Sequence, residues 1–289
     1  MTAAALPIRV FEPRESYRYA RQAAFGTDSA YLAQATRPRA LSWRHEKTLV
    51  VGALADDGTP ACWAAFGPLG FDRAFWQYGN LFTKPEHRRR GLAQAVVSQG
   101  LAVARAAGAH RVFCLIADDN EASASFHEQL GFAPTTIRMS KLSSLARRPG
   151  GARDAPGYSL DLRELENRIV RELPLCGLAA RDATLSFVLS HLMPDQPLLP
   201  WRRPATRAAC VPMQSGAPLY VRCSPDSINA FAGWKQGSAL DSTARTAELM
   251  AALQSLARPN CAVFHDEQLA QTLAPHTSQR FTVSAVAIR

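Results

Sequence analysis

The stretch Leu81-Phe82-Thr83-Lys84-Pro85-Glu86-His87-Arg88-Arg89-Arg90-Gly91-Leu92-Ala93 constrains the fold more than any other in this chain. It reads as the end of an apolar strand, then a basic turn, then Gly-Leu-Ala opening a helix. A helix that starts this way offers unpaired backbone N–H groups and the positive end of its dipole, which together attract an anion. Gly91 and Ala93 keep the turn small enough for a bulky anion to touch the backbone itself. The segment therefore reads as an anion site built where a strand hands over to a helix N-terminus.

The flanking sequence supplies a sheet for it. Ile8–Phe11 reads as an opening strand, followed by an amphipathic helix near Ser16–Phe25. Leu49–Leu54 and Ala61–Phe66 pair as a hairpin around Asp56-Asp57-Gly58, since Asp-Gly is a strong turn signal. A loop at Gly67–Asp72 leads to a strand around Trp76–Thr83. After Leu92 the apolar positions Val96, Val97, Leu101 and Ala104 recur at helical spacing, and Gly108 stands where a helix stop belongs. Arg111–Ala117 is a continuous apolar run, the mark of a strand buried on both faces. A second helix, about Glu121–Leu130, stops at Gly131, and Thr135–Leu142 returns as a strand. This order predicts an α/β (α+β) domain with one mixed sheet flanked by helices.

With 289 residues the chain is long enough for two domains. Ser143–Gly157, rich in Pro, Gly and Arg, reads as the linker, which divides the chain into 1–142 and 158–289. The second part predicts helices near Leu162–Leu173 and Ala180–Leu192, then a hairpin of Ala208–Met213 and Leu219–Cys223. A helix near Thr243–Leu256, a strand Cys261–Phe264, a helix Glu267–Leu273 and a strand Phe281–Ile288 follow. Strand, helix, strand, helix, strand repeats the order of residues 78–142, which suggests a degenerate second copy.

Composition narrows the class. Hydrophobic residues at 47% and charged residues at 20% suit packed cores. No run is long enough to cross a bilayer, and the N-terminus lacks a signal-peptide pattern, so a cytoplasmic location is expected. The cysteines, Cys62, Cys114, Cys176, Cys210, Cys223 and Cys261, include no Cys-x-x-Cys pair, and no metal site is expected. Cys62, Cys114 and Cys261 lie in apolar runs and read as inert core thiols. The net charge of +9 fits an anionic ligand. It is not accompanied by a nucleic-acid recognition motif, so we read it as background rather than as a nucleic-acid partner.

Two motifs carry a resemblance to a known family. Arg88-x-x-Gly91-x-Ala93 is similar to the acyl-CoA-binding signature of the GNAT superfamily of N-acyltransferases. Asn120-Glu-Ala-Ser123-Ala-Ser-Phe-His127-Glu-Gln-Leu130-Gly131-Phe132 resembles the family's Asn-x-x-Ala-x-x-x-Tyr-x-x-Leu-Gly-Phe segment, and it follows a buried strand as that segment should. The resemblance covers about residues 8–142 and implies a largely antiparallel GNAT sheet. It implies acetyl-CoA as co-substrate and transfer of its acetyl group to a primary amine, on a small molecule or a peptide, by direct attack through a tetrahedral intermediate. Backbone groups of Phe82 and Thr83 would pair with the pantetheine arm. The N–H groups of Arg89, Arg90, Gly91, Leu92 and Ala93 would take the pyrophosphate, with charge from Arg88, Arg89 and Arg90. Asn120 would cap its helix and reach the cofactor, and Ser123 would let the pantetheine pass.

One departure affects the chemistry. The family's tyrosine, which protonates the departing thiolate, is replaced by His127, a candidate general acid. Glu86 is a candidate base, with Asp118 and Asp119 as alternatives. A CoA-binding sensor or scaffold with an impaired active site is the competing reading. In the second half, Trp234-Lys-Gln-Gly237-Ser-Ala239 keeps the Gly-x-Ala but lacks the leading Arg or Gln, and Phe264-His-Asp-Glu-Gln-Leu replaces the Asn segment. A second acyl-CoA site is therefore not expected; scaffold, acceptor wall or dimer surface are the roles left open for 158–289. The aromatic loop Gly67–Trp76, with Arg73, and Trp43, Trp63 and Trp76 do not identify the acceptor.

Overall fold

The computed structural model describes residues 6–11, 49–69, 74–143, 158–160, 188, 207–223, 227–232, 240–256 and 260–288. Expectations for the helices near 16–25, 162–173 and, apart from residue 188, 180–192, the linker 144–157, the loop 70–73, Trp43 and the segment 233–239 lie outside these residues. The chain forms two compact units assembled from separate stretches. One contains residues 1–114, 130–132 and 285–289; the other contains 115–129 and 133–284.

The first unit holds strands β1 (Ile8–Phe11), β2 (Leu49–Leu54), β3 (Pro60–Pro68), β4 (Phe75–Thr83) and the start of β5 (Arg111–Ala117). They neighbour one another in chain order. β1, β2, β3 and β4 pair antiparallel, and β4 pairs parallel with β5. A parallel pair needs a crossover, supplied by helix α1 (Leu92–Ala106). Its buried face, Leu92, Val96, Val97, Gly100 and Ala104, rests on the sheet. The helix ends with Gly108 at φ 86°, the left-handed stop expected from the sequence.

β4 explains how the sheet opens. Its parallel register with β5 spans only Phe75↔Arg111, Trp76↔Val112 and Gln77↔Phe113. Beyond Gln77 the strand continues to Thr83 on β3 alone, and that register shifts between Trp63 and Ala65. The shift is a bulge, with Asn80 in the left-handed region at φ 56°. Asparagine tolerates that conformation better than most residues, and a bulge bends its strand. Gly79-Asn80 is thus the local cause of a strand edge released from β5.

The second unit holds helix α2 (Glu121–Gln129) and strands β6 (Ala133–Leu142), β7 (Tyr158–Leu160), β8 (Arg207–Pro212), β9 (Pro218–Cys223) and β10 (Ser227–Ala232). Helix α3 (Ser242–Leu256), β11 (Asn260–Asp266), helix α4 (Glu267–Leu273) and β12 (Thr277–Ala287), up to residue 284, complete it. The strands lie in the order β12-β6-β11-β10-β9-β8-β7. Only β10 and β11 pair parallel among the registers of β6 to β11, with α3 as their crossover. Leu219, Val221, Ile228, Ala230, Leu249, Leu253, Val263, Leu269 and Leu273 build one apolar core between sheet and helices.

The sequence of elements β8-β9-β10-α3-β11-α4-β12 repeats β2-β3-β4-α1-β5-α2-β6. The fold is therefore the expected α/β arrangement of mixed, mostly antiparallel sheet and flanking helices, with a second copy of the topology. One detail differs from the sequence reading. The partner of β11 in the repeat is β10, a strand not foreseen, rather than Leu219–Cys223. Its register with β11 runs unbroken from Ser227↔Asn260 to Phe231↔Phe264, so the second copy keeps the topology without the opening that β4 makes.

Candidate functional site

The Arg88–Ala93 turn sits in the first unit, directly after the released end of β4. A short 3-10 turn, Pro85–His87, carries the chain from β4 to the helix. Arg89 and Gly91 both adopt left-handed backbone conformations, at φ 57° and φ 74°. Such alternation aims neighbouring amides into one concavity, an arrangement suited to anions. Gly91 is the N-cap residue of α1 and, having no side chain, supplies no capping group. The helix's first amides are consequently left for water or a ligand. A Cβ built on Gly91 would meet nothing within 4 Å, so the turn faces open space.

Side chains brace this turn. Arg88 Nε donates to the Thr83 carbonyl at 3.1 Å, tying the turn to the end of β4. Arg90 Nη1 lies 3.2 Å from His87 Nδ1. Arg88, Arg89 and Arg90 are exposed, as is Glu86, while Phe82 and Thr83 are half-buried. The Thr83 hydroxyl donates to Cys62 Sγ at 3.1 Å. Phe82 is paired with Trp63 across β3 and tilts against its ring at 4.8 Å between centroids.

The thiols are core groups, as the sequence suggests. Cys62, Cys114, Cys210 and Cys261 are all buried and unbridged. Burial pushes the Cys62 thiol up to about 11, and it raises Cys114 too, so neither is a thiolate at neutral pH. Tyr78, which the sequence reading passed over, sits where the β4–β5 register ends. Its ring stacks on Phe66 at 5.1 Å and tilts against Phe132 at 5.5 Å. Burial, first, and then the neighbouring Cys114 raise its phenol, which donates to that sulfur. Its signal in the sequence was only an aromatic residue in a strand full of them.

The second motif lies in the other unit. Asn120 Oδ1 accepts the Ser123 N–H at 3.0 Å and caps α2, as expected. The Ser123 Oγ lies 3.2 Å from His127 Nδ1, and the Ser123 carbonyl lies 2.6 Å from the same nitrogen. A carbonyl only accepts, so Nδ1 carries the proton and the neutral ring keeps its lone pair on Nε2. His127 is the buried residue of this helix. Burial lowers its pKa, and the Ser123 carbonyl offsets this only in part. The imidazole is thus neutral at pH 7. Asp119 is exposed. Asp118 is engaged: it accepts the Thr282 hydroxyl at 2.9 Å and faces Arg280 Nε at 3.8 Å.

The structure gathers Phe82, Thr83, Glu86 and Arg88–Ala93 at one helix start, and Asn120, Ser123 and His127 along the first two turns of another. No cluster of metal-ligating side chains occurs among the described residues. No helix among them is long and apolar enough to cross a membrane.

Comparison with known proteins agrees with this architecture. Residues 14–132 match the acetyltransferase (GNAT) family, and this segment of the chain is a GNAT acetyltransferase domain. No curated protein matches the sequence. Solved structures share the fold over nearly the whole chain. A GCN5-related N-acetyltransferase from Sphaerobacter thermophilus is 15% identical, with a TM-score of 0.57 over 99% of this chain and 98% of its own. A tandem GNAT protein from the clavulanic acid biosynthesis pathway is 13% identical, with a TM-score of 0.53 over 98% of each chain.

Proposed function

We propose that the protein is an N-acetyltransferase that moves the acetyl group of acetyl-CoA to a primary amine. The observation that carries the reading is the conjunction at β4: a strand edge freed from β5 after Gln77, leading into a left-handed Gly91 turn that opens α1. The freed edge suits the amide-bearing pantetheine arm, which would add to it as a strand does. The amides of the Arg89–Ala93 turn and the charge of its arginines suit the pyrophosphate. Residues 1–142 would supply the cofactor-binding motifs, and 158–289 would be noncatalytic, since β10 stays paired with β11 where β4 parts from β5.

In this reading the neutral amine attacks the thioester carbonyl, a backbone N–H near Phe82–Thr83 polarises the oxygen, and the tetrahedral intermediate collapses with loss of the thiolate. The thiolate must then gain a proton. His127 supplies one from its protonated form, and its buried, lowered pKa makes that form a strong donor but a scarce one at pH 7. Glu86, exposed beside the turn, is the proposed route for taking the proton from the amine, through water.

A second reading is a CoA-binding protein without turnover. The commitment of His127 Nδ1–H to Ser123 favours it. Calorimetric titration with acetyl-CoA, followed by thiol release against a panel of amines, separates the two. Binding abolished by Gly91→Glu, with thiol release lowered by His127→Ala at unchanged affinity, is the expected result. Binding without thiol release leaves the second reading; no binding by the unmodified protein removes both.

A further inference from the structure

We infer that the last strand of the chain is a working part of the Asn120–His127 motif: Thr282, with Arg280, positions the turn from which α2 starts. The turn Asp118-Asp119-Asn120 is exposed and polar, so apolar packing does not fix it. Local backbone bonds hold its far side, with Asn120 N–H to the Ala117 carbonyl at 3.0 Å and Ala124 N–H to the Asn120 carbonyl at 3.0 Å. Its near side is held by β12. Asp118 N–H donates to the Arg280 carbonyl at 3.0 Å, and the Thr282 hydroxyl donates to Asp118 Oδ1 at 2.9 Å.

The direction of the Thr282 bond is set by a third residue. Arg138 Nη1 donates to the same Thr282 oxygen, so the single hydroxyl proton is directed to Asp118. Arg138 is held in turn by Glu267 through Nε. The relay Glu267–Arg138–Thr282–Asp118 therefore joins the first residue of α4 to the turn before α2. These positions correspond between the two copies of the topology. Arg138 and Thr282 are each the sixth residue of β6 and β12, and Asp118 and Glu267 each follow the end of β5 and β11.

Among these contacts, the Thr282 bond has the most influence. A hydrogen bond to a carboxylate is stronger than a neutral one. The Arg280 pair is longer, 3.8 Å, with side chains 50% and 33% exposed, and solvent screens it. Thr282 and Asp118 touch no substrate in this scheme; they are positioning residues that act through Asn120, whose side chain caps α2 and sets Ser123 and His127. The functional consequence rests on the proposed acyl-CoA reading, whereas the positioning itself does not.

The test uses the full-length chain with Thr282→Val, which keeps the shape and removes the hydroxyl, and Thr282→Ser, which restores it. Amide hydrogen exchange of the ligand-free protein reports the turn directly. Thr282→Val is expected to speed exchange at Ser123 and Ala124 about tenfold, and to weaken CoA binding by a similar factor, as loss of one charge-assisted hydrogen bond would. Exchange at Ala95 in α1 should not change, and Thr282→Ser should recover both properties to within about twofold, a rescue that loss of general stability would not give. Asp118→Ala, at an exposed site, should act like Thr282→Val, and the two together should be no worse than either alone. Wild-type exchange at Ser123 and Ala124 in both single variants, or additive effects, would overturn the inference. Absence of CoA binding in the unmodified protein would sink the acyl-CoA reading instead, and the exchange rates would still decide the positioning.

Discussion

His265 and His127 are buried imidazoles held by neighbouring oxygens. His265 Nδ1 donates to the Asp266 carbonyl at 2.7 Å, and Nε2 accepts from the Ser140 hydroxyl at 2.9 Å. Burial lowers the pKa of His265 more than the nearby Asp266 carbonyl and acidic groups raise it, and burial likewise lowers that of His127. Both rings are neutral in the fold and take up protons more readily once unfolded. As pH falls through the unfolded value of about 6.5, the unfolded state binds more protons, so stability is complete above that pH and declines below it. Each histidine contributes a slope of at most about 1.4 kcal/mol per pH unit. Chemical denaturation at pH 7.5 and 5.0 should show this loss, and His265→Gln should lower stability at pH 7.5 while shrinking the difference between the two. An unchanged difference would mean that His265 is not buried and neutral. His127 could be found from its place in a motif. His265 could not, because its role depends on Ser140, which lies in another strand.

The seating of α1 shows how one missing side chain places a whole element. A Cβ on Gly100 would come within 2.2 Å of the Phe66 ring, and Phe66 is fully buried and stacked on Tyr78. Glycine lets the helix lie flush on β3, which fixes where its N-terminal turn begins. In an exposed helix, Gly→Ala adds roughly 1 kcal/mol of stability. Here Gly100→Ala should instead cost about 1–3 kcal/mol through overpacking, whereas Ser98→Ala on the exposed side should be near neutral. Denaturation midpoints of both variants check this; a stabilised Gly100→Ala would show that the helix is not seated on Phe66. Elements with strong local signals were readable in the sequence. The β2–β3 hairpin, β5 and α1 fall where Asp-Gly, a continuous apolar run and helical spacing put them. β10 was not, because Ser227-Ile-Asn-Ala-Phe-Ala232 carries polar and small residues between its core positions and gains its strand identity from β9 and β11. The release of β4 was also hidden. It requires knowing that the β5 register stops at Gln77, which no spacing in the sequence states.

At the scale of the whole chain, the two compact units do not follow chain order. The first unit takes in residues 285–289, and the second takes in 115–129 and 133–142. The pairings explain the exchange. β6 from the first copy lies against β11, from Ile137↔Asp266 to Leu142↔Cys261. In the first unit, Ile288 N–H donates to the His110 carbonyl at 3.0 Å, so the end of the chain fastens to the approach of β5. The Thr282–Asp118 bond does the same for the turn after β5 within the second unit. The point in the sequence where the first copy of the topology ends, after β6, is thus not a boundary of the fold. A chain ending at residue 142 would leave β6 without β11 and expose a ladder edge that invites aggregation. Residues 1–142 alone should lack a cooperative unfolding transition, while 1–142 and 158–289 produced together should co-purify in equal amounts. Size-exclusion chromatography and thermal unfolding test both. A monomeric 1–142 fragment that unfolds cooperatively and binds CoA like the full chain would show that the exchanged strands are dispensable, and with them the proposed role of Thr282.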